Sequence, residues 1–416
     1  MDDLELWRDE FPILGRTVYM ISNSLGAMPK RTARNLAEYA ETWATSGVRA
    51  WEERWWEMPL EIGDRVARLI GAPSGSVSMH ENVTTAHLVA LSTLRPRLPA
   101  PAVPAPRTGR RRIVCSALDF PSTIYLFRAQ EANGFELDVV PAGPSTRGPD
   151  GGDFSFDSAR FLEAIDESTA LVAISHVLFR TSYIVDAAAI ARRAREVGAS
   201  IALDCYQSAG IIPLDVTALG VDFAVGGCLK WLCGGPGAAF LYTRPDRLQS
   251  ARPSVTGWLS HATPFAFDAG PIATPRDDAM RMMNGTPSIP AYYAAIGGLD
   301  VIAEAGIAAI REKSRRMTAR LLELVDAHAS LGFASAAPRD PERLAGTVAV
   351  NVPDAPAVSR TLKARDFLVD YRPGVGIRVS PHFYNTMDEI DRVIAEMAAI
   401  VKKRDYADAP ARSVVT

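Results

Sequence analysis

Six short runs in the middle of the chain are dominated by apolar residues. They are RRIVCSA (111–117), FELDVVPA (135–142), ALVAISHV (170–177), SIALDCY (200–206), DFAVGG (222–227) and GAAFLYT (237–243). A strand that stays apolar at successive positions is covered on both faces, as in a parallel sheet held between helices. The text between the runs has helical period. One such stretch is DAAAIARRAREVG (186–198), whose Gly198 reads as a C-cap. Strand–helix alternation of this kind predicts an α/β domain with a mainly parallel sheet.

After about residue 290 the pattern changes. A long amphipathic helix is predicted over roughly 290–329. A strand (GTVAVNV, 346–352), the stretch VSRTLKARDFLVDYRPG, a strand (GIRVSP, 376–381) and a helix (MDEIDRVIAEMAAIVKK) follow. That order describes a small C-terminal α+β domain. The expected organisation is an N-terminal segment, 1–50, packing with the small domain or a partner subunit; a large domain, 51–289; the small domain, 290–405; and a flexible tail, 406–416. The Pro/Arg-rich stretch 95–112 and the Gly/Pro-rich stretch 143–153 read as surface loops.

Composition narrows the function classes. A chain of 416 residues suits two packed lobes, and 48% hydrophobic against 22% charged residues allows a large core. A net charge of −3 argues against nucleic acid or an anionic membrane as partner, since both need a basic footprint. No apolar run approaches the roughly 18 residues of a membrane span. The acidic start, MDDLELWRDEFPILG, lacks the basic-then-apolar order of a secretion signal, so a cytoplasmic location is expected. Cys115, Cys205, Cys228 and Cys233 lie in apolar text and read as buried thiols. Their spacing does not suit a metal site.

Two stretches carry candidate chemistry. In LDCYQSAG (203–210), Asp204 falls at the end of a strand, where open α/β sheets bind ligands. In LKWLCGGPG (229–237), Lys230 stands among Leu229, Trp231 and Leu232, and desolvation there would free its amine as nucleophile and base. Taken singly, Asp204 could be a turn or cap residue, and Lys230 a surface lysine with a buried stem. Together they are the amine and carboxylate that pyridoxal 5′-phosphate (PLP) requires. ENVTTAHL (81–88) offers a phosphate cradle in Val83, Thr84 and Thr85 at a helix start, although Thr84 could simply be a cap. Phe120, placed at the end of a strand in LDFPSTIY (118–125), could stack on a ring or belong to the core.

Over nearly its whole length the chain resembles the class V branch of fold type I PLP enzymes, and within it the kynureninases. VYMISNSLGAMPK (18–30) resembles their GNSLG segment, DFPSTIY their DFPSD segment and ISHVLFRTSYIVD (174–186) their SHVNYRTG region. The aspartate and lysine stretches are followed in family order by TGWLSH (256–261), NGTPSI (284–289) and YRPGVGIRVSPHFYN (371–385). The resemblance implies that Lys230 forms the Schiff base with the cofactor. Asp204 would pair with the pyridine nitrogen and Phe120 would stack on the ring. Val83, Thr84 and Ser122 would lie near the phosphate. Trp258 and Thr286 would close that end from a neighbouring subunit, which implies a homodimer with shared active sites. Arg378 would hold the substrate α-carboxylate, with Asn23 and Ser24 beside it. The implied reaction is hydrolytic Cβ–Cγ cleavage of a kynurenine-type amino acid to an anthranilate-type product and alanine, without a metal.

Three positions depart from the family pattern. Gln207 replaces a histidine, although its amide can still donate to the cofactor's phenolic oxygen. Leu229 replaces the tyrosine before the lysine, and Thr123 replaces the acid of DFPSD. Tyr206 would supply a hydroxyl if it points inward. The departures leave a class V aminotransferase, or a PLP-dependent β-elimination (C–S) lyase, as alternatives. A cysteine desulfurase is disfavoured because no cysteine follows Cys233. A non-catalytic scaffold is disfavoured because Lys230, Asp204 and Arg378 are all retained.

Overall fold

The computed structural model describes residues 3–94, 109–143, 154–267 and 274–406. Most of both expected surface loops, and nearly all of the expected tail, lie outside the described residues.

A seven-stranded sheet forms the centre. Its order is Val77–His80, Ala239–Thr243, Phe223–Gly227, Ser200–Asp204, Thr169–Ser175, Arg112–Ser116, Glu136–Val140. Ala239–Thr243 runs antiparallel to both its neighbours, and the remaining pairs are parallel. All six runs expected as strands are in this sheet. The seventh, Val77–His80, was not expected. Its polar Ser78 and His80 hide it from a hydropathy reading, yet all four residues are buried. Their side chains satisfy each other, with Ser78 Oγ and His80 Nε2 at 2.9 Å.

Helices cover both faces of the sheet. Ala187–Val197 buries Ala187, Ile190, Ala191, Ala194 and Val197, the 3–4 spacing of one helical face. Asp186 caps its start by accepting from the Ala189 N–H. Gly198 ends it in the left-handed region at φ 72°, as expected.

The helix expected over 290–329 is two helices, Ile289–Ala305 and Ile307–Ala327, bent by 81°. The break is Gly306, at φ 81° and ψ 120°, a conformation that residues with a Cβ avoid. Ile289–Ala305 is buried on nearly every side and belongs to the main core. Ile307–Ala327 turns away with one apolar face, which joins a second core.

That second core lies under an antiparallel sheet ordered Asp370–Arg372, Gly376–Val379, Val348–Val350. Helices Ala355–Ala364 and Met387–Lys403 pack on it. Thr386 and Glu389 close the start of Met387–Lys403 with a capping box. The N-terminal segment bridges the two cores. Val18–Tyr19 pairs in parallel with Phe367–Leu368; Val18 and Met20 enter the small core, and Tyr19 and Ile21 the large one. Period-two alternation thus lets one extended segment serve both bodies.

Candidate active site

The carboxyl ends of the parallel strands converge on one cavity of about 260 Å³. Asp204 ends Ser200–Asp204, in register with Ser175 at the end of the next strand. Lys230 lies in the loop that reverses the chain between Phe223–Gly227 and Ala239–Thr243. Both line the cavity, together with Val83, Thr84, Phe120, Ser122, Thr123, Tyr206, Gln207 and Leu229. Asn82, Ser175, Val177 and Phe179 complete the wall.

Asp204 is buried, and its Oδ1 accepts the Tyr206 backbone N–H at 2.8 Å. Burial raises its pKa, while that hydrogen bond and the Lys230 charge oppose the rise. Lys230 Nζ lies 4.2 Å from the centre of the Tyr206 ring and 5.8 Å from that of Phe120. Desolvation pushes the amine down to about 8; Asp204 raises it, and Arg378 and Arg372 lower it further. An amine at that value is still mostly protonated at pH 7, but its free fraction, about a tenth, is far larger than that of an ordinary lysine, and the free amine is the nucleophile.

Two helix N-termini meet at the other end of the cavity. Asn82 caps Val83–Ser92, accepting from the Thr85 N–H at 2.9 Å. The cap is therefore Asn82, which leaves Thr84 free for other work. Phe120 does not end a strand, since that strand stops at Ser116; it is the N-cap residue of Pro121–Ala129. Its ring is 45% exposed, so it is not a core phenylalanine. Ser122 and Thr123 sit in that helix's first turn. First-turn N–H groups without helical partners attract an anion; here these are Val83 and Thr84 of one helix and Ser122 of the other, since Pro121 has no N–H and that of Thr123 donates to the Phe120 carbonyl at 3.0 Å.

Gln207 is fixed at both ends of its amide. Oε1 accepts from Trp231 Nε1 at 2.9 Å, and Nε2 donates to the Asn23 carbonyl at 3.0 Å. The segment around Asn23 and Ser24 thus adjoins the cavity from behind. It packs tightly on the lysine loop: a Cβ on Gly26 would lie 2.1 Å from the Lys230 carbonyl oxygen. The Asn23 amide is buried, with neither polar atom partnered among the described residues. Ser24 is half-buried.

The remaining expected site residues do not line the cavity. Arg378 is buried and forks onto Asp370, with Nε to Oδ1 at 2.8 Å and Nη2 to Oδ2, while Nη1 donates to the Phe179 carbonyl at 2.7 Å. Arg372 shares the same carboxylate at 3.1 Å. Trp258 packs on Trp56, Phe265 and Phe267 in an exposed aromatic cluster, and Thr286 is exposed.

Of the buried carboxylates without an expected role, one joins the strand ends beside the site. Asp119 accepts the Ser116 N–H at 2.8 Å and the Ser175 N–H at 2.7 Å, tying two strand ends together at the rim. Burial pushes it up to about 6, against those hydrogen bonds. The signal was an aspartate just past a strand; its second partner is distant in sequence. All four cysteines are buried and free.

These side chains fit PLP. A carboxylate stands ready for the pyridine nitrogen and a depressed amine for the aldehyde. An exposed ring is available for stacking and two helix starts for the phosphate. The Asn23 amide, without a partner among the described residues, adds polar capacity next to Gln207.

Residues 18–393 match the aminotransferase class-V family. The chain is 31% identical to the kynureninase of Pseudomonas fluorescens, covering 98% of this chain and 95% of that one. It is 30% identical to the kynureninase of Bacillus thuringiensis subsp. konkukian, covering 97% and 93%. In fold it is similar to the apo cysteine desulfurase of Thermococcus onnurineus NA1, with a TM-score of 0.80 at 20% identity over 96% of this chain and 98% of that one. A lysine-to-alanine mutant of C-DES, with glycine covalently linked to its PLP cofactor, superposes with a TM-score of 0.79 at 19% identity, covering 96% and 99%. With both a cavity built around Lys230 and Asp204 and these full-length likenesses in hand, the chain belongs to the aminotransferase class-V family as a kynureninase-like member with the type I PLP-enzyme fold.

Proposed function

We propose that this protein uses PLP to act on an L-amino acid. Its reaction would be of the kynureninase type: hydrolytic Cβ–Cγ cleavage of a kynurenine-type substrate to an anthranilate-type product and alanine. The observation that carries this reading is the convergence of Lys230 and Asp204 on one cavity from the ends of neighbouring strands.

When bound, PLP supplies an electron sink for the pair released at the substrate Cα. Asp204 would hold a proton on the pyridine nitrogen. Lys230, with its pKa near 8, would take the proton at Cα and return it. Asp370 would orient Arg378 toward the substrate α-carboxylate. Gln207 would donate its remaining amide hydrogen to the cofactor's phenolic oxygen. Trp258 and Thr286 would complete the phosphate end from a second copy in a homodimer, which would also cover the exposed Trp258, Phe265 and Phe267. We place the enzyme in the cytoplasm.

Leu229 favours a second reading, because it lines the cavity without a hydroxyl. On that reading the reaction is transamination or β-elimination from another amino acid. Incubation with L-kynurenine or 3-hydroxykynurenine, and separately with a sulfur-bearing amino acid whose Cβ carries a leaving group, with products read by mass spectrometry, separates the three. Anthranilate-type product and alanine in equal amounts support hydrolysis. A keto acid from the substrate supports transamination, and pyruvate with ammonia supports elimination.

A further inference from the structure

Tyr206 lies beside Lys230, and its ring, apart from the hydroxyl it carries, has a place of its own in the cavity. Its ring is nearer the amine than that of Phe120, at 4.2 Å against 5.8 Å. Phe120 also meets Phe179 in a T-shaped contact, with ring centres 5.3 Å apart. The amine therefore lies within cation–π reach of both rings, and both line the cavity.

The position of Tyr206 is built rather than incidental. Its backbone N–H is held by Asp204 Oδ1, so ring and carboxylate are fixed together. Its ring rests on Gly227, the last residue of the strand leading to Lys230. A methyl group at Gly227 would come 2.7 Å from Tyr206 Cζ and 2.8 Å from its hydroxyl oxygen. Gly227 does not adopt a positive φ, so its backbone does not call for glycine. The seat for the tyrosine ring does. Burial raises the Tyr206 phenol, so the ring stays neutral.

We propose that Tyr206, seated on Gly227, is the second stacking wall of the cofactor site and with Phe120 brackets a planar heteroaromatic aldehyde anchored at Lys230. The proposal rests on the PLP reading above and assigns a positioning residue to it. Without cofactor, the ring face attracts the Lys230 ammonium. With cofactor bound, the same face contacts the pyridine ring.

The test uses the full chain stripped of cofactor and titrated with PLP. Three readouts apply: the dissociation constant, the visible circular dichroism of the complex, and the pH dependence of Lys230 methylation without cofactor. Tyr206→Phe keeps the ring and should match the unmodified protein in all three. Tyr206→Leu should bind PLP about five- to tenfold more weakly, with an altered dichroism band and a lower Lys230 pKa. Gly227→Ala should resemble Tyr206→Leu by displacing the ring, and Tyr206→Met serves if the leucine variant fails to fold. The proposal is overturned if the aliphatic variants bind PLP with unchanged affinity and dichroism. It is also overturned if Tyr206→Phe is as weak as Tyr206→Leu, which would assign the effect to the hydroxyl. An unmodified protein that takes up no PLP overturns the cofactor reading and this inference together, whereas normal uptake with indifferent variants overturns this inference alone.

Discussion

Arg378 and Asp370 face each other across an antiparallel strand pair, with Arg378 Nε donating to Asp370 Oδ1 at 2.8 Å. Asp370 has no exposed surface, and Arg378 is 2% exposed. The guanidinium is thus held in place by Asp370, with Nη1 on the Phe179 carbonyl. Asp370→Ala leaves that cation buried without a counter-charge, and loss of one partner of a buried pair costs about 3–5 kcal/mol. We expect a lower melting temperature and weaker amino-acid binding in that variant. A melting temperature within a degree of the unmodified protein would contradict the pairing.

Arg378→Ala separates substrate from cofactor. The residue does not line the cavity that holds Lys230 and Asp204, so PLP colour should persist. Amino-acid affinity should fall by about tenfold or more, the scale of a lost charge-assisted hydrogen bond. Spectral titration with the substrate amino acid reads both, and bleaching by this substitution would show that Arg378 serves the cofactor instead.

The pH dependence follows from the Lys230 amine, which desolvation lowers to about 8. Below that value the amine carries its proton and cannot attack an aldehyde. The rate of PLP uptake by the cofactor-free protein should therefore rise with pH and level off above about 8. Stopped-flow absorbance checks this; a rate still climbing in proportion to hydroxide up to pH 10 would mean an ordinary exposed lysine.

Leu229 provides no proton-transfer group in a cavity where hydrolysis needs one. If hydrolysis is the reaction and a phenol there assists it, Leu229→Tyr should raise kcat on L-kynurenine by about tenfold or more, within the usual gain from a positioned acid or base. Anthranilate fluorescence follows the rate. Unchanged or lower turnover would show that the pocket is built without that group.

Trp258 lies outside the cavity of its own chain, so its expected role at the phosphate needs a second copy. Trp258→Ala should weaken PLP binding. Mixed with Lys230→Ala, it should restore about a quarter of the sites by random exchange within two-fold dimers. Absorbance of the mixture decides; no recovery despite proven exchange would place Trp258 outside the site.

The apolar strands and the Lys230 and Asp204 loops were legible because burial on both faces leaves long apolar runs, and strand ends then hold the polar chemistry. Val77–His80 was not, because Ser78 and His80 satisfy each other inside the protein rather than in water. The break at Gly306 was hidden by helical period continuing on both sides of one glycine. Asp119 and Asp370 sat within stretches already singled out. Their roles come from partners brought close by strand pairing, and such partners leave no local pattern.

The most direct test of the central claim is borohydride reduction of the PLP-loaded protein, followed by peptide mapping of the label. One pyridoxyl group per chain, on Lys230, is expected, with loss of PLP affinity in Asp204→Ala. A label on another lysine, or full affinity without the Asp204 carboxylate, would contradict it.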